Sequence, residues 1–384
     1  MSSIQMVDLQ RQYEKIKKEI DTGIEQVIKT SSFINGPAVK EFTDNLANYT
    51  GVKHVIPCAN GTDALQIALM ALDLKPGDEV ITPSFTFIAT VEVVALLGLT
   101  PVFVDVDKDT FTINTVSLQQ AITDKTKAII PVHLYGQCSN MGDILAIANK
   151  HNIAVIEDNA QSIGGSYVED NYSKKTGTMG TVSCISFFPS KNLGAYGDGG
   201  VIMTNDDALA HTMRKICNHG SEKRYYHEIV GVNSRLDSIQ AAVLNVKLKY
   251  LDHYCAKRRE VAAFYNQIFA SHPYIKIPYE PEYSYHVYHQ YTLVLEGVNR
   301  DAVHAELSKM GIPSMVYYPI ACHRQEMFKE LKDREYHLPN TEYLTSRVLS
   351  LPIHTELTEK ELVFITQGVL QVIEKLKPKK EALD

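Results

Sequence analysis

The chain has 384 residues, 45% of them hydrophobic and 22% charged, with 21 tyrosines and no tryptophan. Its 38 basic and 45 acidic residues leave a net charge of −7, which argues against nucleic acid as a main partner. A chain this long buries about three-quarters of its unfolded surface and divides into two domains, or one large and one small. Cys58, Cys138, Cys184, Cys217, Cys255 and Cys322 are spread singly, as expected for reduced thiols in a cytoplasmic enzyme rather than a disulfide framework. His286 and His289 form a close pair that reads as non-metal. The first residues show neither a basic nor an apolar signal region, and no run is long enough to span a membrane.

Tyr13, Ile16, Ile20, Ile24 and Val27 recur at helical spacing and predict an amphipathic helix over 8–30, structural rather than membrane-binding. Phe33-Ile-Asn-Gly-Pro37 breaks it, and a second helix runs to Tyr49. His54–Cys58 reads as a strand leading into Ala59-Asn-Gly-Thr-Asp-Ala64, and Leu65, Ala68, Leu69 and Leu72 mark one face of the helix behind. A strand, a Gly-Thr turn and a helix N-terminus together offer unpaired amides and a favourable dipole to an anion. On the residues alone, Thr62 serves equally as helix N-cap or phosphate ligand.

From Glu79 the pattern repeats, with strands at Val80–Pro83, Pro101–Val106, Lys127–Val132 and Ile153–Glu157. Helices are expected within Ser84–Leu97, Ser117–Thr123 and Met141–Lys150. This alternation predicts an α/β fold with a mainly parallel sheet. Ligands of such sheets sit beyond the carboxyl ends of the strands. Gly61, Thr62, the Phe85–Phe87 segment, Asp158 and Gln161 should therefore share one rim.

The stretch Ser183-Cys-Ile-Ser-Phe-Phe-Pro-Ser-Lys191 ends a β-prone run and is followed by glycines at 194, 197, 199 and 200. Glycines of that density let backbone come close to a ligand. A lysine confined among them loses its charge on burial, and a neutral amine is the nucleophile that condenses with carbonyls. Beyond Asn205 a helix is expected over 207–218, a polar loop over His219–Val232, and one or two helices from Asn233 to Phe269. A strand at Tyr291–Leu295, a helix at Arg300–Met310, an edge strand at Ser314–Tyr318 and a helix over Thr358–Leu376 complete the chain. The expected domains are residues 1–245 and a smaller α+β unit of 246–384, which the N-terminal helix can join.

Asn60-Gly-Thr-Asp-Ala-Leu65, Glu157-Asp-Asn-Ala-Gln-Ser162, Ser186-Phe-Phe-Pro-Ser-Lys191 and Gly231-Val-Asn-Ser-Arg-Leu236 resemble, in order and over nearly the whole chain, the pyridoxal-phosphate-dependent sugar aminotransferases of the DegT/DnrJ/EryC1/StrS group. That resemblance implies fold type I, with a seven-stranded sheet in the large domain, and a homodimer with shared active sites. It implies that Lys191 binds pyridoxal 5'-phosphate covalently and that Asp158 faces its ring nitrogen. It implies further that Gln161 meets the ring oxygen, that Phe87 stacks on the ring, and that Gly61, Thr62 and Ser186 hold the phosphate. Asn233 would reach the phosphate of the neighbouring subunit, and Arg235 would grip a substrate carboxylate. Taken singly, Asp158 fits a helix N-cap, Ser186 a strand hydroxyl, and Asn233 and Arg235 first-turn residues of a helix.

Within the group the chain is most like enzymes that use L-glutamate to aminate C3 of UDP-linked 2-acetamido-2-deoxy-3-oxo-glucuronic acid for surface polysaccharide of the O-antigen type. Tyr317, Tyr318 and His323 are the expected sugar contacts. Two departures fall there: Tyr317-Tyr318-Pro319 stands where relatives commonly have His-Tyr-Pro, and Ala321-Cys322-His323 replaces Pro-Leu-His. The insert Glu169–Gly180 is longer than the group leads one to expect. An aminotransferase acting on a dTDP-linked 3-keto-6-deoxyhexose and a non-catalytic regulator of the same fold are the competing readings. A dehydratase of this fold would carry histidine where Lys191 stands.

Overall fold

The computed structural model describes residues 4–169, 172–331 and 335–378. Two helices open the chain, α1 (Leu9–Thr30) and α2 (Pro37–Thr50). Ser31 ends α1 in the left-handed conformation, and Pro37 starts α2 where its missing N–H costs nothing. Alternation follows: β1 (His54–Cys58), α3 (Gly61–Ala71), β2 (Glu79–Pro83), α4 (Ala89–Leu96), β3 (Thr100–Val104), α5 (Thr115–Ala121), β4 (Thr126–Ile129), α6 (Met141–His151) and β5 (Ala154–Asp158). A hairpin of β6 (Ser166–Glu169) and β7 (Tyr172–Lys175) precedes β8 (Val182–Ser186), β9 (Gly200–Thr204), α7 (Asp207–Cys217) and α8 (Ser238–Leu248).

Seven of these strands form one sheet in the order β1-β9-β8-β5-β4-β2-β3. Only β9 runs against its neighbours, so six strands share a direction. The fold is α/β of the expected kind, and the strands are apolar along their length because helices cover both faces. Ile67, Ala68, Val93 and Met213 pack with Ile56, Val80 and Ile202 in one core, while Phe42, Phe187, Leu244 and Val201 belong to another.

A three-stranded antiparallel sheet, in the order Ile275–Lys276, Tyr291–Leu295 and Val348–Leu351, organises the C-terminal region. Helices Leu251–Phe269, Arg300–Lys309 and Glu359–Leu376 pack around it, with Tyr265, Phe269, Leu293, Ile365 and Ile373 fully buried. The N-terminal segment is tied to this region through ion pairs of Arg11 with Glu361 and Lys15 with Glu356. The division expected after residue 245 falls inside α8, which runs unbroken to Leu248.

Several expected elements differ. The helix expected within Ser84–Leu97 begins only at Ala89, because Ser84–Ile88 stays outside the helix and sends Phe85 into the core. No strand forms over 314–318. Met315 makes a single bridge to Ser350, and Pro313 and Pro319 remove the donors a ladder would need at either end. The loop expected over His219–Val232 contains a short hairpin pairing Ser221–Lys223 with Tyr226–His227. Much of the long insert is the β6–β7 hairpin, which joins Ser284–Tyr285 in a separate sheet; residues 170 and 171 lie outside the described residues.

Candidate active site

Helix α3 starts at Gly61, and its N-cap is Asn60, whose Oδ1 accepts from Asp63 N at 2.8 Å. Thr62 is therefore a residue of the first turn and not the cap. Helix geometry leaves the Gly61 and Thr62 amides without an intrahelical acceptor. A Cβ on Gly61 would lie 2.7 Å from Ser186 Cβ, so glycine is what lets this helix start against the end of β8. Gly61, Thr62 and Ser186 thus meet at one carboxyl edge of the sheet.

Asp158 ends β5 and is buried at 5% exposure. Its Oδ2 accepts from Thr90 Oγ1 at 2.8 Å and its Oδ1 from Ala160 N at 3.1 Å, so it caps a turn and no helix. Burial pushes the Asp158 carboxyl up, and these donors and the charge of Lys191 only partly offset that. Lys191 follows Phe188 in a tight turn in which its N–H donates to Phe188 O at 2.8 Å. Burial brings its ammonium down to about 8, against the opposing pull of Asp158. An amine with its midpoint at about 8 is neutral roughly one-tenth of the time at pH 7, against about one part in three thousand for an ordinary lysine.

Gln161 bridges two elements of the rim. Its Oε1 accepts from Tyr135 N at 2.7 Å, and its Nε2 donates to Tyr318 Oη at 3.1 Å. The Tyr318 ring lies 6.0 Å from that of Phe87, whose side chain is 51% exposed on the open side. Tyr317 packs edge-on against Tyr318, and its carbonyl accepts from Tyr135 Oη. His323 makes none of these hydrogen bonds. Its side chain is only 4% exposed, with Nδ1 2.7 Å from Ser84 Oγ and its ring against Phe103 and Tyr336. It therefore stands between Ser84, at the end of β2, and an aromatic cluster with Phe103 and Tyr336.

Asn233 and Arg235 are not first-turn helical residues, since α8 begins at Ser238. They sit in an extended segment that Ser234 ties down by accepting from Ala59 N at 2.9 Å and donating to Asp63 Oδ2 at 2.6 Å. The segment therefore lies against the α3 N-terminus of its own chain. Asn233 is exposed, and Arg235, half-buried, has no ion pair among the described residues.

The model of the DegT/DnrJ/EryC1/StrS aminotransferase family matches residues 14–370. The chain belongs to that family. A pleiotropic regulatory protein of Geobacillus stearothermophilus is 46% identical, over 96% of this chain and 98% of that protein. The UDP-2-acetamido-2-deoxy-3-oxo-D-glucuronate aminotransferase of Pseudomonas aeruginosa is 47% identical, over 94% and 98%. The UDP-N-acetyl-3-dehydro-alpha-D-glucosamine 3-aminotransferase of Acidithiobacillus ferrooxidans is 44% identical, over 97% and 98%. Among solved structures, a family aminotransferase from Brucella abortus superposes with a TM-score of 0.90 at 42% identity, covering 96% of this chain and 99% of that one. The Bacillus subtilis protein ntda, solved with the cofactor PMP, has a TM-score of 0.88 at 32% identity, covering 97% and 86%.

This DegT/DnrJ/EryC1/StrS aminotransferase depends on pyridoxal phosphate, and its residues fit that group. The glycine-lined start of α3 suits a phosphate. Asp158 is a buried carboxylate with neutral donors on both oxygens, an environment that favours a cationic ring nitrogen beside it. Reading by sequence missed Thr90, which holds Asp158, and gave His289 no role beyond a non-metal one. His289 is buried, its Nδ1 has no hydrogen-bond partner among the described residues, and burial together with the charges of Lys191 and Arg258 holds it neutral. Arg258 in turn donates to the carbonyls of Tyr288, His289 and Ile353. A threonine seven residues after a strand and a histidine in the other half of the chain carry no local pattern that marks them.

Proposed function

We propose that this aminotransferase moves the amino group of L-glutamate to C3 of a UDP-linked 2-acetamido-2-deoxy-3-oxo-glucuronic acid. The product would be a diamino-sugar precursor of a surface polysaccharide of the O-antigen type. Pyridoxal phosphate, when bound, supplies an electron sink and stores the amino group between the two substrates. Lys191 would hold it and carry, at Nζ, the proton removed from the donor's α-carbon. Asp158 would keep the ring nitrogen charged, Thr90 would fix Asp158, and Gln161 and Phe87 would set the tilt of the ring. Gly61, Thr62 and Ser186 would bind its phosphate, with Asn233 reaching the partner subunit's site. Arg235 would take the carboxylate of each substrate in turn, beside Tyr317 and Tyr318.

One observation carries the reading: Lys191, brought to about 8, and buried Asp158 influence each other's charge beside the Gly61 helix start. The regulatory name of one relative favours a non-catalytic role, but the presence of this lysine and carboxylate together weighs against it. We place the protein in the cytoplasm as a homodimer, in keeping with six cysteines that are all free and buried. The test is borohydride reduction of the cofactor-loaded protein followed by peptide mass mapping, alongside turnover of the keto-uronate with glutamate. The cofactor should be fixed on Lys191, and Lys191→Ala should lose both the adduct and turnover while remaining folded. Normal turnover by that variant would refute the assignment.

A further inference from the structure

Helix α8 carries a lysine that the site described above does not use. Lys247 is 1% exposed, lies on the face of α8 turned into the large domain, and has no ion pair with any carboxylate among the described residues. Its Nζ donates to the carbonyl of Gly194 at 2.8 Å and stands 4.4 Å from the centre of the Tyr196 ring. Gly194 is three residues beyond Lys191 in the same turn. A Cβ there would fall 2.2 Å from Pro189 O, so the backbone crosses itself at that point. The turn is closed from within by Lys191 N to Phe188 O and Ala195 N to Phe187 O, each at 2.8 Å.

A buried ammonium without a counter-ion is costly, and burial pushes Lys247 down to about 7. Apolar packing alone would be served as well by a methionine. The groups facing it are the Gly194 carbonyl and the Tyr196 ring, with Tyr13 of α1 edge-on to Tyr196 and Asp21 behind it. A second residue of the same helix acts on the same turn: Gln240 Oε1 accepts from Tyr196 N at 2.8 Å. Two residues two turns apart on α8 therefore grip the chain just beyond Lys191, and α8 itself is wedged against α1 and α2.

We propose that Lys247 is a positioning residue: through the Gly194 carbonyl it fixes the turn that presents Lys191. This rests on the reading of Lys191 as the cofactor-bearing lysine, yet its effect on the backbone can be measured without cofactor. The charge-assisted donation strengthens a single bond at the point where the turn closes. The cation–π contact with Tyr196 holds the ammonium in place, with no carboxylate paired to Lys247 among the described residues.

The test compares full-length wild type, Lys247→Met and Lys247→Gln. Amide hydrogen exchange is first followed in the cofactor-free proteins over the segment 188–197. In Lys247→Met that segment should exchange about ten-fold faster or more, with the rest of the sheet unchanged, and Lys247→Gln should lie between. The cofactor-loaded variants should then show a displaced midpoint in the pH titration of their visible absorbance. Their kcat should fall about ten-fold with KM for glutamate near the wild-type value, a loss equal to one charge-assisted hydrogen bond. Wild-type exchange over 188–197 in Lys247→Met, or acceleration spread evenly over the chain, overturns the proposal. If Lys247→Met does not fold, wild-type exchange and midpoint in Lys247→Gln overturn it. Failure of the Lys191 assignment would appear separately, as absence of the borohydride-fixed adduct on Lys191 in wild type.

Discussion

At the scale of single residues, the site depends on two opposite charges kept in the same buried place. Lys191 loses its proton easily because burial penalises the ammonium, and Asp158 limits that loss. Asp158 is itself pushed up by burial and steadied by Thr90 and Ala160. The sign of each effect gives a prediction. In cofactor-free protein, labelling of Lys191 by an amine-selective reagent should follow a midpoint near 8. Asp158→Asn removes the one attraction that raises the lysine, so its midpoint should move lower. Labelling across pH with peptide mass readout checks both, and a midpoint that rises in Asp158→Asn would contradict the electrostatics. The lysine and the aspartate were legible in the sequence because each follows a β-prone run. Thr90 was not, since it meets Asp158 only after β2 and β5 are laid in one sheet with β4 between them.

Among elements, the strands and helices of the large domain could be read from periodicity, whereas the connections that finish the site could not. Ser84–Ile88 has helix-compatible residues but is held open where β2 ends, its Ser84 N bonded to Val104 O and its Ser84 O to Cys322 N. The run Ser314–Tyr318 has strand-like residues, yet Tyr318 is committed to Gln161 and Phe87. His323 likewise takes its place from contacts distant in sequence, through Ser84 and the ring of Phe103. The insert after β6 shows how a charge organises such a connection. Glu157, next to Asp158 but pointing to the other side of the sheet, accepts from Gly177 N and Met179 N at 2.7 Å each, and also from Gly180 N. His133 Nε2 completes the set at 2.8 Å. Burial would raise this carboxyl, but the His133 bond and the backbone amides outweigh it and hold it low. Its contribution to stability is thus present above the ordinary carboxylate pKa and is lost as pH falls through the lower folded value. Glu157→Gln leaves several of these donors poorly matched and should cost about 3 kcal/mol, since breaking one partner of a buried network is strongly destabilising. Urea unfolding at pH 7 measures this, and the deficit should narrow towards pH 3.

For the whole molecule, the proposed function makes two demands: a site shared between two chains and a choice of sugar. Ser234 holds the 233–235 segment against its own α3, so the segment lies beside the helix start of its own chain as well. What supports sharing is that Asn233 itself is exposed, and that the apolar side chains of Phe33, Ile34, Tyr225 and Val230 are left exposed as well. Mixed dimers of Lys191→Ala and Asn233→Ala subunits should recover part of the activity through one intact hybrid site, and no recovery in verified heterodimers would rule out a trans contact. In the proposed function the sugar is selected by Arg235, a half-buried cation with no carboxylate partner among the described residues. A guanidinium left unpaired is ready for a bidentate carboxylate, and both glutamate and a keto-uronate carry one. Losing such a contact costs about 1.5–3 kcal/mol, or roughly ten- to a hundred-fold in affinity. Arg235→Ala should therefore raise KM for both substrates by that factor, while Arg235→Lys keeps the charge but not the fork and should restore only part of it. A neutral acceptor makes no use of the arginine. If wild type turns over a neutral UDP- or dTDP-linked 3-keto sugar and ignores the uronate, the substrate is wrong while Lys191 and its cofactor stand.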